Sequence, residues 1–313
     1  MSEQRGMNER ALRALVSEVG LIEAIVHLAR DASIEINVQD AVHIEASRAL
    51  LTPGKKVYVS YLPKQTWEQT QATCVALRAA GFDPVPHVPV RLLPDETTLQ
   101  RLLTALVTSA QVDEVLLIAG DYEATAGPYA TVAQVLRTTL LPDSGLSRVS
   151  LAGHPEGHPK APLEAIRVAE VEKAGLAARS GLEASFLTQF FFEPRPFFDW
   201  AGGLRARGIQ THVVAGLAGP ARLSTLLKFA LRCGAGPSMR ALGARPNALV
   251  KLIGDRGPES LVRALAQARV SGESDFSGIH LFCFGGYLRT CEWLHAVAGG
   301  RFKLNEAGGF SQA

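Results

Sequence analysis

A carboxyl group and an amide interrupt two otherwise apolar stretches of the sequence. Glu35 lies between Ile34 and Ile36, and Gln189 lies within the apolar part of the segment Glu183–Pro194. A buried amide costs about 1–3 kcal/mol when its hydrogen bonds are not made, so Gln189 needs a partner. A carboxyl group in apolar surroundings has a raised pKa and can act as a general acid. The alternative for Glu35 is a strand residue that faces solvent at the edge of the fold.

Three further groups could take part in chemistry. Asp121 follows an apolar run and is either a helix cap or a functional carboxylate; the next predicted helix begins at Tyr129, which is distant for a cap. His154 and His158 could bind a metal, but the proline and glycine between them prevent helical display and no third ligand is evident. A turn whose imidazoles bond a ligand or the backbone is the favoured interpretation. The three phenylalanines at 190–192 are either core residues or ligand contacts.

The composition is that of an ordinary globular protein. Of 313 residues, 47% are hydrophobic and 20% charged, and 32 Lys and Arg balance 30 Asp and Glu, which does not favour nucleic acid or an anionic membrane as partner. The four cysteines are widely spaced, which favours reduced thiols in the cytoplasm. The sequence shows neither a signal peptide nor a run long enough to span a membrane. We predict a cytoplasmic protein with a small-molecule substrate; a homo-oligomer is compatible with these data.

Strands and helices must alternate to position these groups. Eight predicted strands begin near residues 32, 56, 84, 114, 148, 184, 210 and 278, and helical segments separate them. This regular alternation predicts an α/β fold, a single-domain (β/α)8 TIM barrel. No G-x-G-x-x-G follows an early strand, which argues against an open dinucleotide-binding sheet. We predict an N-terminal helical extension at 1–31, a catalytic barrel at 32–299 and a poorly ordered tail at 300–313.

Ligands of such barrels bind at the carboxyl ends of the strands. The residues predicted there include Glu35, His87, Asp121, Gln189 and the loop 154–158. The set is mostly apolar and amide in character, with neither a strand-end lysine for a Schiff base nor a G-x-S-x-G elbow for acyl transfer. It suits a flat, largely uncharged aromatic ligand.

Several segments resemble the methylenetetrahydrofolate reductase family in the same order along the chain. They cover about residues 30–297, and they are fairly specific together although weak singly. The segments are Ser33-Ile34-Glu35, Leu116-Leu117-Ile118-Ala119-Gly120-Asp121, Gly153-His154-Pro155-Glu156-Gly157-His158-Pro159, Leu187-Thr188-Gln189-Phe190-Phe191-Phe192-Glu193 and Gly278-Ile279-His280-Leu281-Phe282.

The resemblance implies a hydride-transferring enzyme of one-carbon metabolism. In that family NADH or NADPH reduces bound FAD, which reduces 5,10-methylenetetrahydrofolate to 5-methyltetrahydrofolate. By matching motifs, Glu35 looks like the acid that opens the substrate ring, Asp121 like the carboxylate that contacts the pterin, and Gln189 like the amide that contacts folate and nicotinamide. The residues implied to line the flavin site are His87, Gly120, Tyr129, His154 and His158. Those predicted to bind substrate are Gln189, Phe191 and Arg289. Of these, Arg289 is expected to hold the folate tail in place of the family's Asn-Arg, which is Gly285-Gly286 here.

The sequence also departs from the family's pattern. Ala119 replaces an arginine, a lysine expected near Ala177 or Ala178 is replaced (Arg179 is the nearby cation), and Gly285-Gly286 replaces Asn-Arg. Each lost charge-assisted phosphate contact is worth about 1.5–3 kcal/mol. FAD is therefore bound weakly, bound differently or dispensed with, and in the last case the nicotinamide reduces folate directly. The reaction can also run in the oxidative direction in one-carbon catabolism. The alternatives are a non-catalytic folate- or flavin-binding subunit and a metal-dependent barrel lyase.

Overall fold

Eight parallel strands of the chain close into a barrel. The computed structural model describes residues 18–120, 122–233 and 255–312. Each strand pairs with its predecessor and successor, and the last closes on the first. This confirms the predicted (β/α)8 TIM barrel. The barrel strands are β1 (Ser33–Ile36), β2 (Lys56–Val59), β3 (Asp83–Pro89), β4 (Glu114–Ile118), β5 (Arg148–Gly153), β6 (Glu183–Thr188), β7 (His212–Ala218) and β8 (Gly278–Phe282).

Helices surround the barrel. Two 3₁₀ helices, Val38–His43 and Val90–Leu92, follow β1 and β3. Among the described residues, the α-helices are α1 (18–31), α2 (Ile44–Ser47), α3 (Trp67–Ala79), α4 (Glu96–Ala110), α5 (Val132–Leu136), α6 (Leu140–Asp143), α7 (Leu163–Arg179), α8 (Pro194–Ala206), α9 (Leu223–Cys233), α10 (Glu259–Ser271) and α11 (Tyr287–Ala298). None of the helices within these ranges is long and apolar enough to cross a membrane.

The alternation of side chains along the strands divides the interior into two regions. Ile34 of β1 and Val57 of β2 face outward and join the large hydrophobic core between barrel and helices. The intervening positions face the barrel axis, where Tyr58, Val85 and Leu116 belong to a separate small cluster. Glu35 is one of these axial positions, because it alternates with Ile34 and is in register with Tyr58.

Some predicted elements differ in detail. The helix predicted from Tyr129 begins at Val132, where Thr131 and Gln134 form a capping box, and it is interrupted before α6. The sequence also predicts a helix over Pro220–Cys233. It begins at Leu223, because Ala221–Arg222 pair with Asp255–Arg256 as a short antiparallel ribbon. The sequence further predicts a helix over 245–270 with a break at 254–258. Its first part lies outside the described residues, and α10 follows the predicted break.

The prediction of a poorly ordered tail after Gly299 is wrong. Phe302–Leu304 and Phe310–Gln312 form an antiparallel hairpin. The rings of its two phenylalanines lie 4.7 Å apart, and Arg263 of α10 donates to the carbonyls of Asn305 and Gly309. The sequence here has too few apolar residues to form a core of its own, so the hairpin is ordered by packing on α10 and α11.

Candidate active site at the barrel mouth

Glu35 lies inside the barrel near the carboxyl ends of the strands. Its side chain is 17% exposed, and Oε2 lies 3.6 Å from Nε2 of His87 on β3. Burial raises the pKa of Glu35 from 4.5 to about 8. The carboxyl is therefore protonated at neutral pH and able to donate a proton. The alternative of a solvent-facing residue at the rim does not agree with this position.

His87 lies beside this acid and is itself buried. Burial lowers the pKa of its imidazole to about 3, so the ring is neutral at physiological pH. Nε2 has no hydrogen-bond partner among the residues that the structure describes. An unpaired buried polar atom costs about 1–3 kcal/mol, so this nitrogen is suited to pair with a ligand atom or with Glu35 itself. The resemblance assigned His87 to a flavin site, whereas the structure places it next to the acid.

A second imidazole, His280 of β8, faces the same space. Its Nδ1 lies 2.9 Å from Oγ of Ser33, and its Nε2 has no partner in the described part of the chain. Burial and the neighbouring His87 lower the pKa of His280 to about 3. The ring of Tyr58 meets both imidazoles edge-on, with centroid distances of 6.1 Å to His87 and 4.8 Å to His280. The upper part of the barrel axis is thus polar but uncharged.

His280 and Tyr58 were not among the predicted site residues, although the sequence carried a signal for both. His280 stands between Ile279 and Leu281, and Tyr58 stands between Val57 and Val59. This is the pattern that singled out Glu35, a polar group between two apolar neighbours of a strand. In a closed barrel that pattern places the polar side chain on the axis.

Gln189 follows β6, which is three strands from β1 around the barrel. Its backbone N–H donates to the carbonyl of Gly153 at 2.8 Å and so continues the pairing of β5 and β6. Its side-chain Oε1 accepts from the N–H of Phe190 at 3.0 Å. The oxygen of this amide thus has a hydrogen-bond partner in the neighbouring residue. The side-chain NH₂ group is the part of Gln189 suited to bind a ligand.

Five aromatic rings form a wall beyond the ends of β6, β7 and β8, which we call the phenylalanine cluster. Its members are Phe190, Phe192, Phe229, Phe282 and Phe284. Phe284 stacks on Phe229 at 4.2 Å and is parallel to Phe282 at 5.6 Å. Phe282 also meets the ring of His280 edge-on at 4.8 Å, which joins the cluster to the polar axis. Because Phe192, Phe282 and Phe284 are only half-buried, they present partly exposed apolar rings at the mouth.

Phe191 is directed to the opposite side from its two neighbours. It is 1% exposed, belongs to the large core and stacks on Phe197 at 5.1 Å. Consecutive residues in extended chain point to opposite faces, so Phe190 and Phe192 face one side and Phe191 the other. The residue predicted to bind substrate is therefore a core residue here, and the phenylalanine cluster supplies the aromatic surface instead.

The loop after β4 is organised by Arg91. Its Nε donates to the carbonyl of Ala130 at 3.0 Å and its guanidinium donates to that of Tyr122 at 2.9 Å. Gly120 has a φ of +87°, and the ring of Tyr122 occupies the space that a side chain there would need. Asp121, the predicted pterin carboxylate, lies outside the described residues. Tyr129, predicted to line the flavin site, is buried in the large core instead of facing the mouth.

The loop after β5 is a compact turn. Gly157 has a φ of +84° and donates to the carbonyl of His154 at 3.0 Å, while Nδ1 of His158 accepts from the N–H of Lys160 at 3.2 Å. The two imidazole centroids are 5.3 Å apart. Burial, together with Lys173 and His158, lowers the pKa of His154 to about 3. Within the described ranges no three His, Cys, Asp or Glu side chains are grouped so that they could hold a metal ion.

A cation lies beneath this loop, although not at the position that the family pattern indicated. Ala177 is fully buried against the barrel, whereas Lys173, one helical turn earlier, donates to the carbonyl of Ala152 at 3.1 Å. Burial lowers the pKa of Lys173 to about 8. Arg289, predicted to hold the folate tail, lies in the first turn of α11 just after β8.

The residues assigned to flavin belong to different parts of the barrel. His87 lies on the barrel axis, Tyr129 in the core, and Gly120, His154 and His158 in the loops after β4 and β5. Binding of FAD stays a prediction.

The fold and mouth define the chain as a (β/α)8 barrel protein. No protein-family model matches the sequence. Similar solved structures include a conserved protein of unknown function from Enterococcus faecalis, with 11% sequence identity, coverage of 61% of this chain and 48% of that chain, and a TM-score of 0.38. A mandelate racemase/muconate lactonizing enzyme from Bordetella bronchiseptica RB50 has 12% identity, coverage of 90% of this chain and 58% of that chain, and a TM-score of 0.44. A 3-dehydroquinate dehydratase from Geobacillus kaustophilus HTA426 is also similar, with 12% identity, coverage of 86% of this chain and 91% of that chain, and a TM-score of 0.42. The chain spans about half the length of the first two. At these TM-scores the likenesses define neither substrate nor reaction.

Proposed function

We propose that the chain is an oxidoreductase that transfers hydride between a nicotinamide nucleotide and 5,10-methylenetetrahydrofolate, in the manner of methylenetetrahydrofolate reductases. The observation that carries the proposal is the position of the Glu35 carboxyl, which is buried inside the mouth 3.6 Å from His87, and burial raises its pKa to about 8. Opening the substrate's ring requires a proton on the departing nitrogen, and an acid whose pKa lies near the working pH supplies it efficiently.

The surroundings of Glu35 suit such a reaction. The phenylalanine cluster offers flat apolar rings on which a pterin or a nicotinamide can stack, and it lowers the access of water to a hydride donor. The NH₂ group of Gln189 and the Nε2 atom of His280 can bond the polar edge of a bicyclic ring. After protonation yields an iminium ion, hydride adds to its carbon and gives the methyl group. The same residues serve the oxidative direction, with the Glu35 carboxylate as base.

The test is turnover of methylenetetrahydrofolate by the purified protein with NADH or NADPH, with and without added FAD. We expect oxidation of the nicotinamide in the wild type and a loss of about 100-fold or more in Glu35→Gln, since a positioned general acid contributes about 10²–10⁴-fold. Glu183→Gln is the matched control, because it makes the same change at an exposed carboxyl at the opposite end of a strand. An absorbance spectrum of the same preparation tests for bound FAD.

Two outcomes would contradict the proposal. Absence of nicotinamide-dependent turnover under all these conditions, combined with tight binding of a folate, would favour the non-catalytic binding subunit. Full activity in Glu35→Gln would remove the acid assignment even if the reaction occurs. The third alternative, a metal-dependent lyase, gains no support from the described residues.

A further inference from the structure

Glu35 and His87 form a pair of titratable groups in uncharged surroundings. Their facing atoms are 3.6 Å apart, and the side chains are 17% and 10% exposed. The titratable groups that face the pair in the described part of the chain are Tyr58 of β2, His280 of β8 and Cys283 just after β8. Burial raises the pKa of Tyr58 and Cys283 and lowers that of His280, so all three are neutral near pH 7. Burial sets the resting protonation of both partners, and the charge that lies nearest to each is that of the other, 3.6 Å away.

The proton affinity of His87 depends on the charge of Glu35. With Glu35 protonated, burial keeps the imidazole neutral, with a pKa of about 3. Once Glu35 has lost its proton, a full negative charge lies 3.6 Å from Nε2 in a site with little water. Such a charge strongly favours the imidazolium form and raises the pKa of His87 back toward its ordinary value. His87 thus becomes able to bind a proton only after Glu35 has given one away.

We propose that His87 is the group that returns a proton to Glu35 after each turnover. The inference rests on the acid role proposed above for Glu35. Glu35 gives its proton to the substrate, the neutral imidazole binds one proton from solvent, and the imidazolium passes the proton on Nε2 to the carboxylate. Both groups end neutral, and one solvent proton is consumed. That is the proton which reduction of an iminium precursor by a nicotinamide requires in addition to hydride.

The position of His87 fits this role. Its Nε2 is buried and unpartnered among the described residues, and Glu35 is the group it faces. A basic nitrogen 3.6 Å from the carboxylate is the nearest group from which a proton can be restored to Glu35.

The first test needs no substrate. In ¹⁵N NMR spectra of the full chain, we expect the ring nitrogens of His87 to change shift with a midpoint near pH 8, as Glu35 ionises. The step should vanish in Glu35→Gln, and His87→Gln assigns the signals. A shift that stays constant from pH 6 to 10 in the wild type would overturn the relay, whatever the result with folate.

The second test separates one turnover from many. In His87→Gln we expect a first turnover within about 2-fold of the wild type, because Glu35 already carries its proton. Steady-state turnover should fall by about 10-fold or more and should rise again with added imidazole, which a purely structural role would not produce. His212→Gln is the matched control, since that histidine is exposed at the amino-terminal end of β7.

The outcomes distinguish the relay from the proposed reaction. Equal losses in the first and later turnovers of His87→Gln, without rescue by imidazole, would overturn the relay and leave the reductase function standing. A wild type that shows the coupled NMR titration but no folate turnover would support the coupled pair and overturn the folate reaction alone.

Discussion

Replacing Glu35 by glutamine is expected to stabilise the protein at neutral and alkaline pH while it removes activity. The folded chain holds a proton on Glu35 up to about pH 8, whereas the carboxyl of the unfolded chain releases its proton above pH 4.5. The unfolded state therefore binds fewer protons in this interval, and the stability of the wild type falls as the pH rises through it. Above pH 8 both states are ionised and the loss levels off.

The structure sets the magnitude of this effect. The separation between 4.5 and about 8, at about 1.36 kcal/mol per pH unit, amounts to about 5 kcal/mol at full ionisation and about 3 kcal/mol between pH 5 and pH 8. The low exposure of the carboxyl means that solvent screening removes little of it. His87 and His280 act in the opposite sense, since their lowered pKa values add stability as the pH rises from about 3 to 6.5. Both variants contain them, so the difference between wild type and Glu35→Gln isolates Glu35.

The assay is urea unfolding of wild type, Glu35→Gln and the control Glu183→Gln at pH 5, 6, 7 and 8. We expect the free energy of unfolding of Glu35→Gln to gain about 3 kcal/mol on that of the wild type across this range. The exposed control should follow the wild type. A difference that stays constant within about 0.5 kcal/mol would show that Glu35 has an ordinary pKa in the folded state, and the argument for a protonated acid would fail.

Two further predictions concern the scaffold. Gly216→Ala should lower stability by about 3 kcal/mol or more in thermal unfolding, because the added methyl group would collide with the carbonyl of Thr188 and the ring of Phe282. The control Gly202→Ala in α8 has open space around the added methyl group and should not lower stability, so equal stability of the two variants would contradict this prediction. Lys56→Met should lower the free energy of unfolding in urea by about 1–2 kcal/mol, since Nζ of Lys56 lies 2.6 Å from the buried carboxylate of Glu114. The expected loss is moderate because Lys56 is 40% exposed and Arg148 remains 3.5 Å from the carboxylate. A loss below about 0.5 kcal/mol would show that the ion pair adds little to stability.

The barrel could be predicted from the sequence because its signals are local. Each strand is a short apolar run followed by a helical period, and eight such units leave few other closed arrangements. Glu35 could be found for the same reason, since a carboxyl between two isoleucines stands out in a strand. The prediction of a poorly ordered tail was wrong because the order of the tail comes from contacts with α10, which is distant from it in sequence.

The remaining site residues depend on information that is not local. Which of three consecutive phenylalanines faces the mouth depends on where β6 ends, and a shift of one residue exchanges Phe190 for Phe191. The approach of His87 to Glu35 depends on barrel closure, which brings β1 and β3 side chains together across β2. Tyr129 was assigned to the flavin site on resemblance alone. It lies just before α5, which begins at Val132, and its ring is buried in the large core.

Two carboxyl groups face the same barrel axis in different electrostatic surroundings, and this difference is what makes one of them useful as an acid. Glu114, near the amino-terminal end, lies 2.6 Å from Nζ of Lys56, accepts from Oγ of Ser150 at 2.6 Å and has the hydroxyl of Tyr58 at 3.3 Å. Glu35, nearer the mouth, faces the neutral His87, and among the described residues no ion pair to a lysine or arginine is formed. A cation stabilises a buried carboxylate, whereas burial without one keeps the proton in place. The hydroxyl of Tyr58 bonds Ser150 beside the Glu114 carboxylate, while its ring contacts His280 nearer the mouth. The hydrogen bonds around Glu114 therefore also help to position the uncharged side chains of the mouth.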